Sequence, residues 1–377
     1  MRKIILAPDS FKGTLSAEEV CQIWRIAAER HMPDAVCVSL PLSDGGDGLI
    51  DAIRDSVGGE DIVVTVSDPL GRKREAGYLI LPDGTAVIEM AAASGLTLLA
   101  PEERDPMCTS SYGTGELIVS SIERGAKHVI LGLGGSATND AGLGAAVAMG
   151  LKLVEDDGTH LGVERETYRT TVEIDSSEYR KCIEGVHFSL ICDVSNPLCG
   201  PLGATVVYGP QKGATEEQVL LLDRELSDFS SLLAKDSGRS CSEIPGCGAA
   251  GGFALPLLSY GDVVISSGIE MVMDILEFDN HLNDTKLVIT GEGRTDEQSS
   301  MGKVIFGVAK RAGAKRVPVV VLSGALLGGI ESLFDAGVTA MFSACTGPAS
   351  IGELLSASRK NLESASENLF RLLNQIL

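Results

Sequence analysis

Residues 286–322, KLVITGEGRTDEQSSMGKVIFGVAKRAGAKRVPVVVL, hold two short apolar runs, Leu287–Thr290 and Val317–Leu322, on either side of a glycine-bearing loop and a helically spaced stretch, Met301–Ala312. A strand, a helix and a strand in that order form the crossover unit of a parallel sheet. The pattern continues through a helix expected at Leu327–Ala336, a strand at Met341–Ser343 and a long terminal helix. The start of the chain reads the same way. Lys3–Ala7 is a strand, Ser16–His31 a helix with Ser16 as N-cap and Glu19 three residues later, and Val36–Leu40 a second strand.

The middle is different. After the glycine-rich break Ser43–Gly48 and a helix to about Val57 come three strand-like runs, Ile62–Val66, Ala76–Leu81 and Ala86–Met90, separated by Pro69-Leu70-Gly71 and Pro82-Asp83-Gly84. Such tight spacing means antiparallel hairpins. A helix near Gly115–Arg124, a strand Val129–Leu133, a small-residue helix ending about Met149 and a strand Phe188–Cys192 follow, while 158–185 shows no pattern. These readings give an α/β protein of two domains. Residues 1–45 with 285–377 form a parallel three-layer domain from both chain ends, 46–284 form an inserted mixed-sheet α/β domain, and the active site is expected in the cleft between them.

The 377-residue chain is long enough for two cores. Lys and Arg total 31 against 52 Asp and Glu, a net charge of −21 that repels nucleic acid and anionic membrane surfaces. No stretch reaches ~18 uninterrupted apolar residues and the N-terminal apolar run is short, so a cytoplasmic protein is expected. Nine scattered cysteines with no Cys-x-x-Cys pair read as free thiols. The five histidines share no metal-ligand spacing.

Six loops carry the chemistry. Asp9, Ser10 and Lys12 lie just after the first strand, at the edge where open α/β sheets bind ligands; Asp9 can bind metal or act as a base, and Lys12 can pair with phosphate or carboxylate. In Ser43–Gly48, Asp44 and Asp47 alternate with glycines that let backbone approach a ligand. In Gly132–Asp140, Gly134, Gly135, Ser136, Thr138 and Asn139 follow a strand and precede a helix, where amides favour phosphate. The same run fits Gly-x-Gly-x-x-Ala with Glu155 and Asp156 roughly 20 residues on, a nicotinamide fingerprint that keeps an oxidoreductase as the rival reading. Asp193 and Asn196 end an apolar run, and Lys212 is the cation of the loop Pro210–Ala214. Finally Glu292, Arg294 and Asp296 crowd acid and cation onto one loop after a buried strand. Gly302-Lys303-Val304 is not a Walker A loop, and protein-kinase signatures are missing.

Taken together, and with Glu89–Leu96, Gly113–Leu117 and Ser267–Glu270, these segments resemble in order the bacterial glycerate kinases over the whole chain. The resemblance implies a flavodoxin/Rossmann-like domain beside one likened to restriction endonucleases. It implies ATP as donor, Mg²⁺ as cofactor, D-glycerate as acceptor and 2-phosphoglycerate as product, with 3-phosphoglycerate or a related hydroxy acid as the alternative. On this reading Asp44, Lys12, Arg294 and Asp193 are catalytic, with Asp44 preferred over Asp9 as the base. Gly134, Gly135, Ser136, Thr138 and Asn139 bind the nucleotide, and Asp9, Ser10, Asp47, Asn196, Lys212 and Glu292 the substrate. Asp193 and Asp296 ligate Mg²⁺. A monomer or homodimer working in glycerate, glucarate or glyoxylate use is expected. Two departures from the family stand out: no proline near Ile305, and a poor match over 158–185.

Overall fold

The computed structural model describes residues 2–43, 49–155, 157–161, 173–300, 303–348 and 350–377. The chain divides into two compact units, 1–57 with 267–377, and 58–266. Residues 49–57 and 267–284 therefore pack with the first unit.

In the first unit five strands form one parallel sheet, in the order Val338–Ser343, Val319–Ser323, Thr285–Thr290, Arg2–Leu6, Ala35–Ser39. Numbered along the chain this is 2-1-3-4-5, the doubly wound order of the flavodoxin type. Ile4, Ile5 and Leu6, and likewise Val319 to Ser323, are buried in unbroken succession, as strands covered on both faces must be. Helix Ala17–His31 starts on a complete capping box, Glu19 N donating to Ser16 Oγ and Ser16 N to Glu19 Oε2. It buries Val20, Ile23, Trp24 and Ala27 with Leu362, Leu369, Phe370 and Leu373 of helix Ser358–Ile376, over Ile4, Leu6, Leu287 and Ile289. Strand side chains alternate, so Ile5, Val288 and Val319 face the other way, toward the layer holding helix Val304–Ala314.

The second unit is built on a six-stranded mixed sheet, ordered Asp262–Ser266, His187–Ile191, His128–Gly132, Ala86–Glu89, Lys73–Ile80, Glu60–Ser67. The first four run parallel, and Lys73–Ile80 runs antiparallel to both its neighbours, Ala86–Glu89 and Glu60–Ser67. Helices Tyr112–Glu123, Leu143–Ala148 and Glu216–Ser237 share its core with Val129, Leu131, Phe188 and Leu190. The hairpins expected at 62–90 are present. Part of the patternless 158–185 forms a strand, Glu173–Asp175, antiparallel to Lys152–Val154, and a helix, Ser177–Ile183.

One expected element is corrected. Leu327–Ala336 is not a continuous helix: Ala325–Leu326 is a short strand paired with Arg294–Thr295, and only Ser332–Asp335 is helical. Gly328 and Gly329, the latter at φ +83°, break the turn between them. Among the described residues no helix is long and apolar enough to cross a membrane.

Candidate active site

In the first unit the two central strands, Arg2–Leu6 and Thr285–Thr290, flank the point where the strand order reverses, and the loops at their carboxyl ends are stitched together. Ala7 N donates to Ile289 O (2.8 Å), Asp9 N to Gly291 O (2.8 Å) and Thr290 Oγ1 to Ala7 O (2.7 Å). A Cβ on Gly293 would lie 3.1 Å from Phe11 Cα and 3.3 Å from Lys12 N, so the second loop lies tightly along the first and a larger residue would have to push it away by a few tenths of an ångström. Asp9 is buried, one of its oxygens accepting from Ser10 N (2.6 Å). Lys12 is exposed, and with Ser10, Thr14 and Ser16 it lines a cavity of about 510 Å³.

Glu292 enters the same place from the neighbouring strand. Its backbone N donates to Ser323 Oγ (3.2 Å), which pairs with Thr295 Oγ1 (2.7 Å), while Ser299 Oγ donates to its carboxylate. Burial is the main influence on this carboxyl and pushes its pKa up, against the pull of the Ser299 and Thr295 hydroxyls. Arg294 is exposed and pairs with Asp296 (2.9 Å). Ser323 was not singled out from the sequence. Its signal is its place, the carboxyl end of Val319–Ser323, the fourth strand along the chain in the parallel sheet. Asp44 and Asp47 lie outside the described residues.

In the second unit the glycine loop leaves strand His128–Gly132. Gly134 and Gly135 are exposed, while Ser136, Thr138, Asn139 and Asp140 are all buried. The loop is fastened by Leu96 N to Gly135 O (2.8 Å) and Ala137 N to Ser94 O (2.9 Å), which leaves the Gly134 and Gly135 amides without an acceptor among the described residues. Asp140 organises the rest, accepting from Ser111 N (2.8 Å), Ser111 Oγ (2.7 Å), Gly142 N (3.2 Å) and Gly144 N (3.2 Å). Asn139 Nδ2 donates to Thr205 Oγ1 (2.9 Å), whereas Asn139 Oδ1 and Thr138 Oγ1 are buried without a partner among the described residues. Lys212 lies buried against this loop rather than on the surface. Asp193 is exposed after strand His187–Ile191. Asn196 has its side chain engaged, donating to Leu202 O (2.7 Å) and accepting from the OH of Tyr208 at the end of helix Ala204–Tyr208 (2.7 Å). The structure thus gathers Asp9, Ser10, Lys12, Glu292, Arg294 and Asp296 at one sheet edge, and Gly134 to Asn139 with Lys212 on the other unit.

Residues 4–374 match the glycerate kinase family. The chain belongs to that family. It is 41% identical over 372 residues to a glycerate kinase of Haemophilus influenzae, covering 98% of each chain. It is 41% identical over 368 residues to a glycerate 2-kinase of Escherichia coli K12, covering 97% of each. A crystal structure from Salmonella typhimurium LT2, described as "putative glycerate kinase 2", superposes with a TM-score of 0.89 at 39% identity, over 99% of this chain and 98% of that one.

Membership of the glycerate kinase family makes the chain a kinase and removes the oxidoreductase reading, and the structure gives the reason the fingerprint misled. A nicotinamide site places its acid at the end of the next parallel strand. Glu155 instead follows Lys152–Val154, in a separate three-stranded antiparallel sheet; Asp156 lies outside the described residues. As for Mg²⁺, among the described residues no group of three or more His, Cys, Asp or Glu is placed to hold a metal. Oxygen donors such as Asp193 and Asp296 suit a hard cation that takes its remaining ligands from phosphate and water, which is how Mg²⁺ is commonly bound at phosphoryl-transfer sites.

Proposed function

We propose that the protein transfers the terminal phosphoryl group of ATP to D-glycerate, giving 2-phosphoglycerate. The observation that carries this reading is the glycine loop. Two exposed glycines whose amides have no acceptor among the described residues stand on a buried, hydrogen-bonded base after a parallel strand, a cradle whose partial positive charge suits phosphate. Phosphoryl transfer asks a protein chiefly to align donor and acceptor and to neutralise charge developing on the transferred group. In this reading Gly134, Gly135 and Ser136 hold the ATP phosphates, on the frame set by Thr138 and Asn139. Lys12 and Arg294 hold the transferred group or the glycerate carboxylate, and Asp9, Ser10, Asp47, Asn196 and Glu292 shape the acceptor site. Asp44 takes the acceptor hydroxyl's proton, with Asp9 as the other candidate. Mg²⁺, when bound, would neutralise phosphate charge next to Asp193 or Asp296. The two residue sets serve one reaction, in the cytoplasm, in glycerate, glucarate or glyoxylate use.

A coupled assay tests the whole proposal. Purified protein, MgATP and D-glycerate are supplied with enolase but no phosphoglycerate mutase, so only 2-phosphoglycerate gives a signal. A signal is the expected result. ADP release without it would replace the product by 3-phosphoglycerate or the acceptor by another hydroxy acid, and silence in both would overturn the reading.

A further inference from the structure

Lys212 ends the short turn Pro210–Lys212 and is only 2% exposed. Its ammonium donates to Ser136 Oγ (2.9 Å) and to Thr138 O (2.7 Å), both neutral acceptors. No ion pair to a carboxylate accompanies these bonds among the described residues. Asp140 favours the charge from a distance, but its own oxygens already accept four hydrogen bonds, from Ser111 N, Ser111 Oγ, Gly142 N and Gly144 N. Burial pushes the Lys212 pKa down to about 8. A cation kept in the interior without a paired anion is a costly arrangement, and a neutral side chain of like volume commonly improves stability at such a place. The backbone is nevertheless built to keep it there: Gly213 follows at φ +99° with its Cα pressed so closely on the Arg104 carbonyl that a Cβ would lie 1.9 Å from that oxygen.

The direction of the hydrogen bonds shows what the charge is for. A lysine ammonium has only donors, so Ser136 Oγ must accept from it, and the serine's own O–H is left to donate elsewhere. Within the protein it has no acceptor among the described residues. The residues just before it are the exposed Gly134 and Gly135. We propose that Lys212 is a positioning residue for the polyphosphate of the nucleotide: it acts through Ser136, whose hydroxyl donates to a phosphate oxygen, and the bound anion compensates the buried ammonium. This rests on the ATP reading above, and it assigns Lys212 to the donor rather than to the acceptor.

The test compares the parent, Lys212→Met, Ser136→Ala and the double variant by thermal denaturation and by titration with MgADP and with adenosine. Lys212→Met is expected to melt at or above the parent's temperature without ligand. It should bind MgADP about tenfold to a hundredfold more weakly, the span of one charge-assisted hydrogen bond, with adenosine affinity unchanged. Ser136→Ala should weaken MgADP in the same direction, and the double variant should bind no worse than the weaker single one, because the two residues act in series. A Lys212→Met protein that melts lower yet binds MgADP like the parent would make the lysine structural only, and equal losses for MgADP and adenosine would also overturn the proposal. Should Lys212→Met fail to fold, Ser136→Ala decides: unchanged MgADP affinity there overturns the relay. A parent that binds no MgADP would overturn the donor reading itself, whereas a parent that binds it no better than both variants do overturns the relay alone.

Discussion

Glu292 shows how one side chain can work against stability in the service of a site. It follows the central strand Thr285–Thr290, and among the described residues its carboxylate is held by hydroxyls rather than by a close cation. Burial raises its pKa above the ordinary 4.5, the nearby Asp296 charge adds to that, and Ser299, Thr295 and Lys303 oppose it. An acid with a raised folded pKa ionises more readily when the chain is unfolded. Its effect on stability is therefore most favourable below about pH 4.5, declines as pH rises through the folded pKa, and remains a deficit above it. Glu292→Gln should unfold at higher urea than the parent at pH 7, with the advantage shrinking as pH falls toward 4.5, while kcat/KM drops about tenfold to a hundredfold for loss of a charged contact. Equal advantage at both pH values would remove burial as the cause, and unchanged kcat/KM would take Glu292 out of the acceptor site.

At the scale of elements, the glycine loop separates residues that shape the fold from residues that face a ligand. A Cβ on Gly134 meets nothing within 4 Å, whereas Gly213 combines φ +99° with a backbone oxygen 1.9 Å from any Cβ. Gly134→Ala is expected to keep stability within about 0.5 kcal/mol of the parent while weakening MgADP. Gly213→Ala should lose roughly 2–4 kcal/mol through backbone strain and overpacking, read from urea melts. A loss of stability in Gly134→Ala equal to that in Gly213→Ala would mean the exposed glycine is structural too. The same contrast explains what the sequence made legible. Helix Ala17–His31 was visible because its signals are local: an apolar stripe and the Ser16–Glu19 capping box. The helix expected at Leu327–Ala336 is cut short because Gly328 and Gly329 break its first turns, and because the strand Ala325–Leu326 just before it pairs with Arg294–Thr295, a partner some thirty residues away that no local pattern reveals. Lys212 was found as a cation in a loop, but its burial depends on Ser136 and Thr138, which only the tertiary fold brings to it. Ser323 went unnoticed because its role is to hold Glu292, which no spacing of its own discloses.

The whole molecule sets a harder problem, since a chain of net charge −21 is assigned two anionic substrates. At physiological ionic strength the field of distant acids is screened within about 8 Å, so the local cations and amides decide binding rather than the total. Those local groups fall into two sets, and each set stands on its own core: Lys12 and Arg294 on the unit of Ile4, Trp24, Leu287 and Phe370, the glycine loop and Lys212 on the unit of Val129, Phe188 and Phe229. A ligand that binds one set stabilises the segments it touches by mass action and raises the free energy of their local opening. Hydrogen exchange should therefore sort the substrates by unit. MgADP alone is expected to slow exchange over 134–146 and 204–214, where the loop, Asp140 and Lys212 are interlocked, and D-glycerate alone to slow it chiefly over 7–16 and 290–296, with a smaller effect around Asn196. Protection by MgADP confined to 7–16 and 290–296 would instead move the nucleotide to the strand-reversal point of the parallel sheet, where doubly wound folds also bind nucleotides, and would leave the glycine loop to the acceptor.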